Sequence, residues 1–238
     1  MKTLIVMPTY NERDNIERLV GRLMNVDSGI DVLIVDDNSP DGTGDLAERL
    51  AQKNPRIHVL RRPGKQGLGP AYIAGFQWGL SRDYDAFMEM DADLSHRPRY
   101  IPRFLQEIKD ADIVVGSRWI KGGGIANWPL SRVFLSRMAS LYAKLILGVS
   151  IADMTAGYIC YRRKVLEELG LDRIHSDGYC FQIEMKYRAL CRGFKIVEIP
   201  IIFTDRKAGN SKISRHIVLE ALIITWILRF RKKLFERP

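Results

Sequence analysis

The sequence predicts an α/β fold in which a mostly parallel sheet is covered by helices on both faces. Short apolar runs recur along the first half of the chain, and segments with helical spacing separate them. Strands joined by crossover helices lie parallel and are covered on both faces. The 238 residues, 46% hydrophobic and 27% charged, are enough for one sizeable core with a few additional elements.

The individual elements follow from the apolar runs and their spacing. Five runs are predicted as strands, namely residues 4–7, 32–35, 57–60, 86–90 and 113–115. Apolar positions 16, 19, 20 and 23 have the spacing of a helix, and Asn11 is predicted to cap it. After a Gly-rich segment, we expect an amphipathic helix over 130–147, a strand–helix pair over 157–192 and a final helix over about 213–235.

The composition limits the kinds of partner. A formal net charge of +9 fits a nucleic acid, an anionic membrane surface or a phosphate-rich substrate. The excess lies at the end of the chain, where seven basic residues and two acidic ones follow Ser211. Three cysteines without paired spacing predict neither a disulfide framework nor a zinc site, and the first apolar run is too short for a signal peptide. A cytoplasmic location is expected.

Polar segments follow four of the predicted strands. In sheets of this kind, ligands bind beyond the carboxyl ends of the strands. These ends carry PTYNE (8–12), DDNSPDGT (36–43), DADLSH (91–96) and GSR (116–118). Carboxylates, turn-forming residues and an arginine are therefore expected along one rim of the sheet.

The pattern Asp-x-Asp occurs three times, and its position separates the occurrences. The pairs at 83/85 and 110/112 come before an apolar run, whereas Asp91 and Asp93 follow one. Two hard carboxylates, taken here without a His or Cys ligand, favour Mg²⁺ or Mn²⁺ over zinc, and these ions are usually held by few protein ligands together with substrate phosphates. The sequence therefore predicts a metal site at Asp91 and Asp93 that grips a diphosphate.

Two other nucleotide sites are disfavoured. The chain lacks the phosphate loop of ATPases and the Gly-x-Gly-x-x-Gly turn of dehydrogenases after its first strand. The Gly-rich segment GKQGLGPA (64–71) follows the third strand, and it fits either a loop that caps the next helix or a phosphate contact.

The motifs taken together resemble those of a known family. PTYNE, VDDNSPDGT, DADLSHRP, GSR, DMTAGY, FQIEM and EIPIIFTDRKAGNSK follow one another along nearly the whole chain. In this order they resemble the family-2 inverting glycosyltransferases, and most of all the polyprenol (dolichol) monophosphate mannose synthases. The resemblance implies a GT-A fold, a Rossmann-like α/β domain.

The resemblance also implies roles for single residues. Residues of the first two strand ends would hold the nucleotide base and ribose: Pro8, Tyr10, Glu12, Val35 and Asp37. Asp91, Ala92 and Asp93 would line the diphosphate and metal, while Arg118, Arg206 and Lys212 would bind phosphates of donor and acceptor. Asp93 and Arg118 are the expected catalytic residues. Asp153, Gln182 and Glu184 also match family positions, and each could instead have a purely structural partner.

The implied reaction moves mannose from GDP-mannose to a polyprenyl phosphate, with inversion and with a metal. A phosphate oxygen is already anionic near neutral pH, so no strong base is needed. A UDP-sugar donor or a hydroxyl acceptor is the alternative, and a hydroxyl would need a base. A third and remote hypothesis is a basic nucleic-acid-binding protein. No nucleic-acid partner is expected, because the acidic rim of the predicted site would repel a phosphate backbone.

The end of the chain predicts an association with membranes. Its apolar stretch ALIITWIL (221–228) is far shorter than the about 20 residues needed to span a bilayer, and RFRKKLFER follows it. We expect residues 1–212 to form the catalytic domain and 213–238 a basic amphipathic helix. That helix would have one of three docking sites. It would lie on the cytosolic face of a membrane, which in a eukaryote would be the endoplasmic reticulum. Otherwise it would bind a small membrane-anchoring subunit or pack on the protein's own core.

Overall fold

The computed structural model describes residues 1–26, 29–174, 176–204 and 215–235, with side chains in the last range from 222 onward. The strands are β1 Thr3–Thr9, β2 Ile30–Asp36, β3 Ile57–Arg61, β4 Ala86–Glu89, β5 Ile113–Ser117, β6 Gly124–Ala126, β7 Ile159–Arg162, β8 Ile196–Pro200 and β9 Ile202–Thr204. The α-helices are α1 Arg13–Met24, α2 Thr43–Lys53, α3 Leu68–Leu80, α4 Ile101–Glu107, α5 Leu130–Leu147, α6 Arg163–Glu168, α7 Gly178–Cys191, α8 Arg215–Phe230 and α9 Lys232–Phe235.

Seven strands of the described chain form the central sheet, in the order β3-β2-β1-β4-β7-β5-β8. All neighbouring pairs are parallel except those of β7, which runs antiparallel to both β4 and β5. Because β7 reverses direction between them, β4 and β5 remain parallel to each other. The carboxyl ends of β1, β2, β4 and β5 therefore lie along one edge, as predicted. A small second sheet pairs β6 with β9.

Helices cover both faces of the sheet, because alternate side chains of each strand point to opposite sides. In β1, Ile5 and Met7 pack with α1, α2 and α4 in one buried cluster. Leu4 and Val6 pack with α3, α6 and α7 in the other. The predicted α/β class with covered faces is confirmed, and the five predicted strands are all present.

The end of the chain packs on a third buried cluster. Leu228 of α8 and Phe235 of α9 are buried against Ala143 and Leu147 of α5 and against α7. One side of the final helices is therefore docked on the protein itself. Other apolar side chains of α8 stay exposed, among them Ile223, Trp226 and Phe230. Within the described residues, no helix is long and apolar enough to cross a bilayer.

Three predicted details differ from the structure. Asn11 does not cap α1: Glu12 occupies the cap position without a capping side-chain bond, and Asn11 has a left-handed backbone with φ of 62°. The predicted strand–helix pair over 157–192 contains two α-helices after β7, and the final helix is interrupted at Arg231. A helical hydrophobic pattern does not reveal such short breaks.

Candidate active site

The loops after β1 and β2 are tied together by a buried carboxylate. Asp36 is fully buried and accepts hydrogen bonds from the hydroxyl of Thr9 at 3.0 Å and from the backbone and hydroxyl of Ser39 at 3.0 and 2.6 Å. The backbone N–H of Asn11 donates to the same Ser39 hydroxyl, and that of Glu12 donates to Thr43. The predicted nucleoside-binding segments therefore form one rigid rim.

Asp37 lies in a buried ion pair. Its carboxylate accepts from Nη1 of Arg62 at 2.7 Å, and both side chains are less than 10% exposed. Burial raises the pKa of Asp37, and the opposing charge of Arg62 does not cancel that effect. Arg62 also donates to Gln66. The sequence reading did not select Arg62, although it follows the third strand and the strand-end rule would have selected it.

The other residues predicted to bind the nucleoside differ in how far their side chains are buried. Tyr10 is half-buried, and the ammonium of Lys65 lies 4.4 Å from its ring centroid, a cation–π contact. Pro8 and Glu12 are half-buried on the rim. Val35 is fully buried in the core beside α3, so only its backbone is available to a ligand.

Asp91 is held at the end of β4 by two neighbours. Its backbone N–H donates to Nδ1 of His96 at 3.0 Å, and its Oδ1 accepts from the Tyr72 hydroxyl at 3.3 Å. The Asp91 side chain is 35% exposed, whereas Asp93 is nearly buried and accepts from the backbone of Ser95. Asp91 is thus the more accessible of the two carboxylates.

The turn that contains these aspartates is strained. Leu94 has a left-handed backbone with φ of 65°, which a bulky residue rarely adopts, and Ala92 is 3% exposed. The other Asp-x-Asp pairs have surface partners: Asp83 pairs with Lys2, and Asp112 pairs with Lys164. Asp83 and Asp112 lie just before β4 and β5, whereas Asp91 and Asp93 follow β4.

His96 was not selected from the sequence, although it belongs to DADLSH. It is 3% exposed, its ring stacks on Tyr158 at 4.7 Å, and Phe203 contacts its edge at 5.5 Å. Burial lowers the pKa of His96, which therefore favours the neutral ring. Because Nδ1 accepts the Asp91 N–H, the proton of the neutral ring resides on Nε2.

Arg118 makes a two-point ion pair with Asp153. The Nε and Nη2 atoms donate to the two carboxylate oxygens at 2.7 Å each, and Nη2 also donates to Thr155. Burial by itself raises the pKa of Asp153, but the charge and hydrogen bonds of Arg118 outweigh burial and lower it. The guanidinium thus stays charged in a nearly buried position.

Two charged side chains form hydrogen bonds with the backbone of the loop that carries Asp153. The buried ammonium of Lys186 donates to the carbonyl oxygens of Met154 and Ala156 at 3.1 and 2.8 Å. Glu198 accepts from the backbone N–H of Asp153 at 3.0 Å. Burial lowers the pKa of Lys186 to about 8. The Asp153 position thus depends on two charged groups from separate elements.

One pocket brings several of these residues together. It has a volume of about 180 Å³, and its lining includes Asp91, His96, Arg118, Gln182 and the half-buried Trp128 and Arg132. The guanidinium of Arg132, on α5, lies 3.8 Å from the Trp128 ring centroid. Trp128 and Arg132 were not selected from the sequence as site residues. Arg206 and Lys212 lie outside the described residues.

Asp93 faces a different cavity. It lines a neighbouring groove of about 450 Å³ together with Arg18, Arg22, Arg97 and Arg99. The turn of residues 91–93 therefore separates a pocket that contains Asp91 from a groove rich in arginine. Of the described residues, Pro8, Tyr10, Glu12, Val35 and Asp37 do not line the Asp91 pocket.

The Gly-rich segment 64–71 leads into helix α3. Asp177 of the protein itself accepts from the backbone N–H of Gly69 at 2.7 Å, and also from Gly178. A Cβ added to Gly67 would lie 2.3 Å from the Asp177 carboxylate. The segment therefore forms the loop at the start of α3, and the Asp177 carboxylate caps that helix from another element.

Comparison with known proteins decides the family. The sequence profile described as "Glycosyl transferase family 2" matches residues 4–170. The chain belongs to this family. A polyprenol monophosphomannose synthase from Mycolicibacterium smegmatis is 48% identical over 97% of this chain and 88% of the relative. An undecaprenyl-phosphate mannosyltransferase from Micrococcus luteus is 49% identical over 94% and 92%. The resemblance found in the motifs is confirmed, and the protein is a glycosyltransferase.

Solved structures agree with the GT-A fold. Glucosyl-3-phosphoglycerate synthase from Mycobacterium tuberculosis, in complex with Mn²⁺ and UDP, has a TM-score of 0.66 at 17% identity and covers 99% of this chain and 81% of its own. A mannosyltransferase from Pyrobaculum calidifontis in complex with GDP-mannose and Mn²⁺ has a TM-score of 0.62 at 17% identity, over 100% and 65%.

The carboxylates of this family 2 enzyme fit a metal that its substrate helps to bind. Asp91 and Asp93 present the hard oxygen atoms that Mg²⁺ and Mn²⁺ prefer. In the part of the chain that the structure describes, no group of three His, Cys, Asp or Glu side chains could hold a metal ion. A divalent ion here would thus need further oxygen ligands from a diphosphate or water.

Glu184, one of the three further positions that matched the family, has structural partners. It accepts from Nε of Arg188 at 2.7 Å and from the hydroxyl of Ser176. Asp153 and Gln182, by contrast, belong to the surroundings of the pocket.

Proposed function

We propose that this glycosyltransferase transfers mannose from GDP-mannose to a polyprenyl phosphate, with inversion at the anomeric carbon. One observation carries the proposal: a single pocket is lined by Asp91 together with two arginines, Arg118 and Arg132. Arg132 lies on α5, whose outer face exposes a row of apolar side chains. The names of the relatives at 48% and 49% identity support this reading.

The nucleotide would lie along the rigid rim. In this proposal Pro8, Tyr10, Glu12 and the backbone of Val35 contact the base and ribose. The Asp37 carboxylate would accept a hydrogen bond from a ribose hydroxyl, and Arg62 would hold that carboxylate in place. The hydrogen bonds between the two loops keep the rim in position before the nucleotide binds, which reduces the entropy lost on binding.

The diphosphate would lie over the 91–93 turn. Asp91 and Asp93 line neighbouring cavities on the two sides of this turn, and in this proposal both would hold Mg²⁺ or Mn²⁺ across it, with Ala92 between them. When bound, this ion would offset the charge that develops on the departing diphosphate. Tyr72 and His96 would keep Asp91 oriented toward the pocket.

The acceptor phosphate would be held by arginines. Arg132 stacks on Trp128 and is half-buried, whereas Arg118 is buried, and Asp153 holds its guanidinium in one orientation. Arg206 and Lys212, outside the described residues, are proposed as further phosphate contacts. Such fixed charges align an anionic oxygen with the anomeric carbon and stabilise the shift of charge during transfer.

No proton transfer is required of the protein. The attacking phosphate oxygen is already anionic, so the C–O bond to the anomeric carbon forms as the bond to the diphosphate breaks. This single displacement turns an α-linked donor into a β-linked lipid phosphosugar. In this proposal His96, whose pKa burial lowers, orients Asp91 by accepting its backbone N–H.

The lipid tail and the membrane would be met by α5 and α8. Exposed apolar side chains on α5 include Phe134 and Leu145, both 69% exposed, and α8 adds Trp226 and Ile227. We propose that residues 1–212 form the catalytic part and that 213–238 help to attach it to the cytosolic face of a membrane. Attachment would be direct or through a small membrane-anchoring subunit.

A reconstituted transfer reaction tests this function. The purified chain is supplied with GDP-mannose or UDP-glucose, a polyprenyl phosphate in vesicles, and Mg²⁺ or Mn²⁺. We expect a sugar-linked polyprenyl phosphate from GDP-mannose and none from UDP-glucose. Transfer from UDP-glucose alone would overturn the donor assignment, and transfer to a polyprenol offered in place of the polyprenyl phosphate would overturn the acceptor assignment.

A pair of variants on α5 tests the acceptor site. Arg132→Ala should raise KM for the polyprenyl phosphate by roughly tenfold or more, because it removes a charged hydrogen bond to phosphate. Arg137→Ala is the matched control, because Arg137 lies exposed on the same helix. Equal effects of the two substitutions would argue against a specific phosphate contact.

A further inference from the structure

A buried carboxylate fixes the orientation of the Gln182 side-chain amide. Gln182 is 3% exposed, and its Nε2 donates to Oε2 of Glu89, which is fully buried at the end of β4. The other oxygen of Glu89 accepts from the Tyr161 hydroxyl at 2.9 Å. Burial raises the pKa of Glu89 to about 7, so above that pH the group is ionised and offers only acceptor atoms to these partners. With Glu89 ionised, the amide nitrogen of Gln182 faces it, and the amide oxygen points elsewhere.

The amide oxygen of Gln182 has no protein partner. Its Oε1 is buried and makes no hydrogen bond within the described part of the chain. Gln182 nevertheless lines the pocket that contains Asp91 and Arg118. Most buried polar atoms in folded proteins are hydrogen-bonded, so an orphaned acceptor beside a binding pocket points to a ligand that brings a donor.

The missing partner must be a hydrogen-bond donor. An ionised phosphate oxygen offers only lone pairs and would be repelled by a carbonyl oxygen. A sugar hydroxyl can donate, and the sugar is attached to the diphosphate that Asp91 would help to bind. The chemistry of Gln182 therefore matches the transferred sugar rather than either phosphate group.

We propose that Oε1 of Gln182 accepts a hydrogen bond from a hydroxyl of the transferred sugar and so contributes to the choice of donor. This inference rests on the proposed function. Glu89 acts through Gln182 as a positioning residue, because it prevents the amide from rotating and presenting its nitrogen to the sugar.

Deoxygenated donors test the contact. Wild type and Gln182→Met are assayed with GDP-mannose and with four analogues that lack the hydroxyl at position 2, 3, 4 or 6, and kcat and KM are measured separately. We expect Gln182→Met to lose roughly tenfold in kcat/KM with GDP-mannose. With one deoxy donor, this loss should vanish, because the contact is already absent there. Equal losses with all five donors would overturn the inference and indicate a structural role or a bound water.

A swapped pair guards against a folding defect. In Glu89→Gln combined with Gln182→Glu, the amide and the carboxylate exchange places, so their hydrogen bond and an acceptor oxygen at position 182 are retained. This variant should still discriminate against the same deoxy donor as wild type. A swapped variant that uses all donors equally would contradict the inference.

The proposed function fails in a different way. If wild type does not transfer mannose from GDP-mannose, the donor assignment is wrong, and the same series is made from the sugar that it does transfer. The contact is supported if one hydroxyl of that sugar couples to position 182, and it is refuted if none does.

Discussion

Arg118 and Asp153 are joined by two parallel hydrogen bonds, Nε to Oδ2 and Nη2 to Oδ1, each 2.7 Å long. Their side chains are 5% and 0% exposed. A buried pair of this geometry holds an arginine in one orientation, and loss of one partner leaves the other charge uncompensated. The pair therefore links the stability of the fold to the geometry of the pocket.

Asp153→Ala should be strongly destabilising and inactive. We expect the free energy of unfolding to fall by about 3–5 kcal/mol, because Arg118 would remain buried without a counter-charge. Transfer should fall at least ~100-fold as the guanidinium loses its position. Denaturant unfolding and the transfer assay measure the two effects. Asp83→Ala, which removes an exposed pair with Lys2, is the control and should change neither.

Asp93→Ala should abolish transfer and leave the fold intact. Without this carboxylate, the diphosphate site loses one of its two proposed metal ligands. The Mn²⁺-dependent thermal stabilisation by GDP should disappear with the activity. Asp110→Ala is the matched control, because Asp110 belongs to another Asp-x-Asp pair and is exposed. An Asp93→Ala enzyme that keeps most of its activity, where wild type strictly requires metal, would refute the assignment.

Lys186 should make the stability of the protein depend on alkaline pH. Burial lowers its pKa from 10.5 to about 8, so between these values the unfolded chain binds more protons than the folded one. The free energy of unfolding attributable to this group should therefore rise with pH from about 8 to 10.5, by at most about 3 kcal/mol. Below pH 8 the full cost of the buried charge is present.

Urea unfolding of wild type and Lys186→Met across pH 7.5–10.5 isolates this contribution. Other lysines and tyrosines titrate in both proteins and cancel in the difference. A constant difference between the two proteins across this range would show that Lys186 does not titrate there.

Two helical glycines should respond in opposite directions to alanine. Gly75 of α3 packs on the sheet, where an added Cβ would lie 2.3 Å from Cγ1 of Val6. Gly75→Ala should therefore lower the free energy of unfolding by about 1–3 kcal/mol. Gly21 of α1 has no atom within 4 Å of an added Cβ. Gly21→Ala should raise stability by about 0.5–1 kcal/mol through helix propensity alone. Chemical denaturation measures both changes in the free energy of unfolding. Changes of the same sign and size at the two glycines would contradict the packing described here.

Charges on the outer face of α5 should weaken attachment to membranes. Phe134→Glu with Leu145→Glu places two carboxylates where apolar side chains are exposed. Co-sedimentation with anionic vesicles should fall roughly tenfold. The ratio of activity with vesicle-bound to short-chain acceptor should fall as well. Gln52→Glu with Gln77→Glu adds the same charge on other helices. Equal loss in both double variants would indicate general repulsion instead of a specific surface.

The helix at the end of the chain shows how far a pattern can be interpreted. The pattern of its apolar and basic residues is compatible with three docking surfaces: a membrane, a partner protein or the protein's own core. Leu228 and Phe235 are buried against α5 and α7, while Trp226 and Phe230 remain exposed. An amphipathic pattern indicates that one face is buried, but it does not identify the surface that covers it.

The sequence by itself determined the covered parallel sheet, its first five strands and the special position of Asp91 and Asp93, because these follow from local periodicity and from the order of strands along the chain. Only the tertiary structure decided that β7 enters the sheet antiparallel, that Arg118 pairs with Asp153 and that Asp177 caps α3. These contacts join residues that are far apart in sequence. Each depends on how whole elements pack, and no local pattern of residues encodes that.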